Sequence, residues 1–162
     1  MFTYEPFGAD DPKKMPTHFF GCFGRGGVSL NYDTAIKADV KKQNFTVAPR
    51  HWYIDASMRC ADCEQTFVFS AAEQRAWYEE YGFYVDSFPR RCPECRAKLR
   101  RLKSLRQEYD ARIAGALALK DVEIKAHLIE VIDQLCESGA EVPDKMPENR
   151  KLLASQIARL RR

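Results

Sequence analysis

The sequence predicts an α+β protein, and three observations predict it. A β-prone run, Thr66-Phe67-Val68-Phe69, and a helix start lie between two Cys-x-x-Cys pairs; residues 1–50 are rich in aromatics and turn formers; helix formers dominate beyond Cys95. The expected organisation is an irregular N-terminal arm over 1–50, a compact module over 51–96, and a helical extension over 97–162.

Composition fits a folded chain. Hydrophobic residues make up 45% and charged residues 30% of the 162 residues, a balance unlike that of a disordered polymer. The first residues lack a basic start followed by an apolar run, and no stretch is long and apolar enough to span a bilayer, so neither a signal peptide nor a membrane contact is expected. Four of the six cysteines fall in the two pairs rather than in a disulfide-like spread, which favours a reducing, cytoplasmic setting with Cys22 and Cys136 as free thiols.

In the arm, Pro6, Pro12, Pro16 and the Gly21–Gly27 stretch interrupt any long element, leaving 28–30 and 45–47 as candidate short strands. Residues 51–58 are expected to lead as extended chain into Cys60. After the β-prone run comes Ser70-Ala71-Ala72-Glu73, a capping box, so a short helix starts at Ser70 and stops at Gly82. Phe67, Phe69, Trp77, Tyr81 and Phe83 are the expected core, because so small a module has little else to bury.

Pro93 suits a first helical turn, and Leu102, Leu105, Tyr109, Ile113 and Ala116 form an apolar stripe, which together predict one long helix from about 93 to 117. Asp121 caps a second helix with face Ile124, Leu128, Val131, Ile132 and Leu135, ended by Gly139. Pro143 and Pro147 read as a linker, and Asn149 as the cap of a short third helix carrying Leu153, Ile157 and Leu160.

Two cysteines separated by two residues can bring both thiolates to one cation, and two such pairs complete a tetrahedron. Cys60, Cys63, Cys92 and Cys95 are therefore the expected ligands of one structural Zn2+. Iron centres are the competing metal and a redox dithiol the competing chemistry; the first usually uses other spacings and the second usually stands alone in a larger α/β domain. A knuckle, a β element and a helix bearing the last two ligands describe a treble clef, with 28 residues between Cys63 and Cys92.

Several features of Arg59–Arg96 occur together: Cys-x-x-Cys, the aromatic pair Phe67 and Phe69, a Ser-x-x-Glu-Gln helix start with Trp77 and Tyr78, Gly82-Phe83, and Pro-x-x-Cys-x-x-Cys-Arg. This stretch, with His51-Trp52-Tyr53 upstream, resembles the bacterial family called the probable zinc-ribbon domain, of treble-clef type. The resemblance implies a fold and zinc binding and carries no activity or substrate. Glu64 departs from it, standing where such knuckles commonly have glycine.

The formal net charge is only +3, but Arg90–Arg106 holds eight basic residues against the single acid Glu94. Arg90, Arg91, Arg96, Arg100, Lys103 and Arg106 are thus candidate phosphate contacts for nucleic acid or a ribonucleoprotein, and the plainer reading is a solvated face that balances the anionic metal centre. Two further readings stand beside this non-catalytic binding module. One is a protein-interaction adaptor using 97–162; the other, more distant, is a metal-dependent nuclease using His51. No catalytic constellation accompanies His51, and the Gly21–Gly27 stretch lacks the lysine and hydroxyl of a phosphate loop, so the protein is not expected to be an enzyme.

Overall fold

The computed structural model describes residues 10–14 and 28–161. Its contacts divide the chain into two units, Met1–Arg96 and Ala97–Arg162.

The first unit is built on a three-stranded antiparallel sheet of order β1 (Ser29–Lys37), β2 (Trp52–Arg59) and β3 (Thr66–Phe69). Beta-2 and β3 pair Ala56 with Phe69 and Met58 with Phe67, so these four side chains share one face, while Val68 between the two phenylalanines is exposed on the other. Ile54, Ala56, Met58, Phe67 and Phe69, together with Tyr53, are buried in the core of this unit. Against them packs helix α1 (Ala71–Arg75), continued by a π-helical turn over Ala76–Glu80.

The start of α1 is the capping arrangement that the sequence predicts: the Ser70 side chain accepts from the Glu73 N–H. Asp55 on β2 adds a second cap, accepting from the Ala71 N–H at 2.6 Å. Gln74 is fully buried, and its amide donates to the carbonyls of Ile54 at 2.6 Å and Phe69 at 2.9 Å. It thereby fastens α1 to both β2 and the end of β3.

Three expectations for this unit change. The arm expected to be irregular supplies β1, a full edge strand that begins where the short strand over 28–30 was expected and runs on to Lys37. The register breaks between the pairs Asn31–Asp55 and Ile36–Tyr53, and Thr34 bridges the break by accepting from the Asp55 N–H and donating to the Asn31 carbonyl. That break scatters polar residues through the strand and hides its alternation. Residues 45–47 form no strand. Only Asn44 pairs, with Tyr84 in parallel, while Phe45 and Val47 stay exposed.

Finally, Tyr81 and Phe83 lie 67% and 47% exposed rather than in the core. Gly82, at φ +68°, turns the chain outward between them, and Tyr53 and Tyr78, with ring centroids 5.7 Å apart, fill the interior instead. The Gly21–Gly27 stretch, Cys22, His18 and the prolines at 6 and 16 lie outside the described residues.

The second unit is helical. Helix α2 runs over Pro93–Ala118, α3 over Val122–Glu137 and α4 over Lys145–Leu160. Asp121 caps α3 by accepting from the N–H groups of Glu123 and Ile124, and Gly139 follows its end at φ +74°, as the sequence predicts. Leu128, Val131, Ile132 and Leu135 are buried against Tyr109, Ala116, Met146 and Leu153.

Helix α4 starts earlier than Asn149. Pro147 sits in its first turn, where a missing N–H leaves no bond unmade. Asn149 is instead a side-chain tie, donating to the Tyr109 hydroxyl at 2.7 Å. Lys125, almost wholly buried, donates to the carbonyl of Ala116 near the end of α2 and to Gln156 of α4.

No helix among the described residues is long and apolar enough to cross a membrane.

Candidate metal centre

The first cysteine pair sits on a knuckle that follows β2. The Cys60 N–H donates to the Gln65 carbonyl at 2.9 Å and the Glu64 N–H donates back to the Cys60 carbonyl at 3.1 Å, closing a tight loop around Ala61, Asp62 and Cys63. Closing it forces Glu64 to φ +61°, the one positive value at a non-glycine residue among those described. This is why glycine is the natural occupant of the position. Glu64 is held in place by Arg59, whose guanidinium donates to its carbonyl and to its carboxylate, both at 3.0 Å.

The second pair opens α2. Pro93 takes the first helical position, and the Cys92 sulfur accepts from the Cys95 N–H at 3.4 Å in the place a serine cap would occupy. Thiolates are favoured at a helix N-terminus by the dipole and the free N–H groups.

The fold brings all four sulfurs together. The Sγ atoms of Cys60, Cys63, Cys92 and Cys95 lie within 4.8 Å of one another, and Cys63 and Cys92 approach to 3.8 Å. A tetrahedral ion with metal–sulfur bonds of about 2.3 Å requires sulfurs about 3.8 Å apart. The donor set therefore fits one metal ion. Cys60 and Cys92 are buried, Cys95 is half-buried and Cys63 is exposed.

The surroundings act on two of the thiols in opposite directions. Backbone N–H groups, that of Cys63 foremost, lower the Cys60 thiol to about 6. The neighbouring Cys92 sulfur, together with desolvation, pushes Cys95 up to about 12. A thiol held protonated by the sulfur beside it is one that a divalent cation among the sulfurs would deprotonate.

Ion pairs join the parts of the module. The Arg91 Nε donates to the Asp62 carboxylate at 2.7 Å, and the Ala61 N–H donates to the Arg90 carbonyl at 2.9 Å, so the two knuckles are tied to each other directly. Arg96 donates to Glu73 of α1 at 2.7 Å and lies 5.6 Å over the Trp77 ring. Trp77 packs in turn on Phe69 and Phe83, each with centroids 5.1 Å away.

Of the six candidate phosphate contacts, three have acidic partners: Arg91 with Asp62, Arg96 with Glu73, and Arg106 with Asp110 at 3.6 Å. Arg90, Arg100 and Lys103 are exposed without an ion pair among the described residues. His51 is half-buried just ahead of β2. Among the described residues, the four cysteines are the one group of three or more histidine, cysteine or acidic side chains placed to hold a metal.

Sequence reasoning picked out the four cysteines that the structure brings together but missed the side chains that brace them. Asp62 pairs across 29 positions and Gln74 acts through backbone carbonyls, so neither leaves a local motif; Glu64 alone was legible, as a departure from glycine.

No curated protein and no solved structure matches the chain. Residues 54–104 match the family described as Probable treble clef domain, a span that holds all four cysteines. With the knuckle after β2, the β3 strand and the helix that bears the second pair, residues 54–104 form a treble-clef domain whose cluster of four cysteines is placed to hold one metal ion.

Proposed function

We propose that the chain is a non-catalytic binding module in which one structural zinc ion holds the treble clef and the exposed basic residues of α2 contact nucleic acid, free or within a ribonucleoprotein. Zinc is the ion best suited to four thiolates with no need of an open coordination position. Four protein ligands fill the tetrahedron and leave no place for an activated water, which favours a scaffold over a catalytic centre.

The observation that carries the binding reading is the row Lys98, Arg100, Arg101 and Lys103, all exposed along two turns of α2. Arg101 donates to a neutral group, Gln134, and the others have no acidic partner among the described residues. Unpaired cations at this density suit the repeating charge of a phosphate backbone. Arg91 and Arg96, drawn into ion pairs within the metal module, serve the fold in this reading.

Leu119, Leu152 and Leu160 are exposed on the helical unit and support the second reading, an adaptor that docks a protein partner.

The two separate by fluorescence anisotropy with a labelled single-stranded RNA at about 50 mM salt, where phosphate contacts are strong. Nucleic-acid binding predicts measurable affinity that falls with added salt and is lost in the Arg100→Glu/Lys103→Glu variant. Absence of binding to RNA and to DNA of either strandedness would leave the adaptor.

A further inference from the structure

We infer that Cys63 is an oxidative modification site, the thiolate through which a peroxide opens the metal centre, and that Cys92 resolves it to a disulfide joining the two knuckles. The inference rests on the zinc reading above and on three observations about the centre.

The first is an asymmetry of access. Cys60 and Cys92 are 2% and 6% exposed, whereas Cys63 stands at the exposed tip of its knuckle. Zinc-bound sulfur keeps thiolate character, and among thiolates of similar character the accessible one reacts first.

The second is the placement of a resolving sulfur. Cys92 Sγ lies 3.8 Å from Cys63 Sγ, so a sulfur oxidised at Cys63 has a second nucleophile already beside it. The Cys60 sulfur accepts from the Cys92 N–H at 3.3 Å, which adds to the contact between the two knuckles.

The third concerns what joins the knuckles besides the ion. The Arg91–Asp62 pair at 2.7 Å and the Ala61-to-Arg90 backbone bond at 2.9 Å link them directly. While the ion is still held by its remaining ligands, the sulfurs of opposite knuckles thus stay within reach of each other, and a covalent bond between them takes the place of the link that the ion had supplied.

The step balances with hydrogen peroxide as oxidant. The Cys63 thiolate attacks one peroxide oxygen, an S–O bond forms as O–O breaks, and hydroxide leaves. Cys92 then attacks the Cys63 sulfur, S–S forms as S–O breaks, and a second hydroxide leaves. Two thiolates lose two electrons, and the peroxide with two protons from solvent becomes two waters. The ion, left with two ligands, dissociates.

The test uses the full chain loaded with zinc, its metal content measured before anything is added. Hydrogen peroxide is then titrated in, with zinc release followed by a chromophoric chelator and the cysteines located by mass spectrometry, with and without dimedone to trap sulfenic acid. The expected result is a dimedone adduct at Cys63 ahead of the other three ligands. Without dimedone, a Cys63–Cys92 disulfide should form in step with loss of the zinc. Exposed Cys136 on α3 serves as an internal standard for a thiol outside the centre. Disulfides confined to Cys60–Cys63 or Cys92–Cys95, first labelling at another ligand, or zinc retained while Cys136 is oxidised would each overturn the inference. Failure of the zinc reading is seen earlier, as absence of zinc before peroxide is added, and it removes this inference as well.

Discussion

Arg91 reaches across the metal centre to Asp62, Nε to carboxylate at 2.7 Å, and so joins the segment before the second cysteine pair to the residue inside the first. Both side chains are over a third exposed, 43% and 37%, so solvent screens the pair and its worth is about 0.2–1 kcal/mol. Asp62→Asn should therefore weaken zinc retention by no more than about fivefold in a chelator competition, with the difference shrinking at high salt. A loss of several orders of magnitude would mean that Asp62 is a ligand and not a brace.

Glu64 is predicted to be replaceable by the glycine whose conformation it has adopted. Release of a left-handed non-glycine residue gains about 1 kcal/mol, offset by loss of the exposed Arg59 pair. The melting temperature of zinc-loaded Glu64→Gly should thus equal or exceed that of the parent, and Glu64→Val should fall below it because a β-branched side chain tolerates positive φ poorly.

Burial makes Gln74 a sharper case. Gln74→Leu fills similar space but leaves the carbonyls of Ile54 and Phe69 without their donor. Unmade buried hydrogen bonds cost about 1–3 kcal/mol each, so denaturant unfolding followed by tryptophan fluorescence should show a loss of about 2–4 kcal/mol. A loss below the error of the measurement would contradict the role given to this side chain.

These two residues mark how far the sequence could be read. Signals contained within a few residues were legible: the Ser70 and Asp121 caps, the glycines at 82 and 139, the helix opened by Pro93, and the four cysteines. Each is satisfied by neighbours in the chain, so its physics is local. Of β1 only the start was legible, as the run over 28–30, because its partner lies about twenty residues on and its register breaks around Thr34. Asp62, Gln74 and Lys125 were hidden because their partners come from other elements. The start of α4 was misplaced because Pro147 was read as part of a linker, although a first helical turn accepts it.

Lys125 allows a test confined to the helical unit. Its ammonium serves the Ala116 carbonyl and the Gln156 side chain. Lys125→Met keeps the stem and removes both bonds, and a loss of about 1–3 kcal/mol is expected. Circular dichroism should report the lost helix stability while metal content stays unchanged.

The central claim is that the four cysteines form one structural zinc site, and elemental analysis of the purified full chain under reducing conditions tests it most directly. About one zinc per chain is predicted for a four-cysteine site, with Cys92→Ser losing both the metal and the folded state of the treble-clef module. A module that is folded without metal, or that holds a Cys60–Cys63 disulfide in its place, would contradict it.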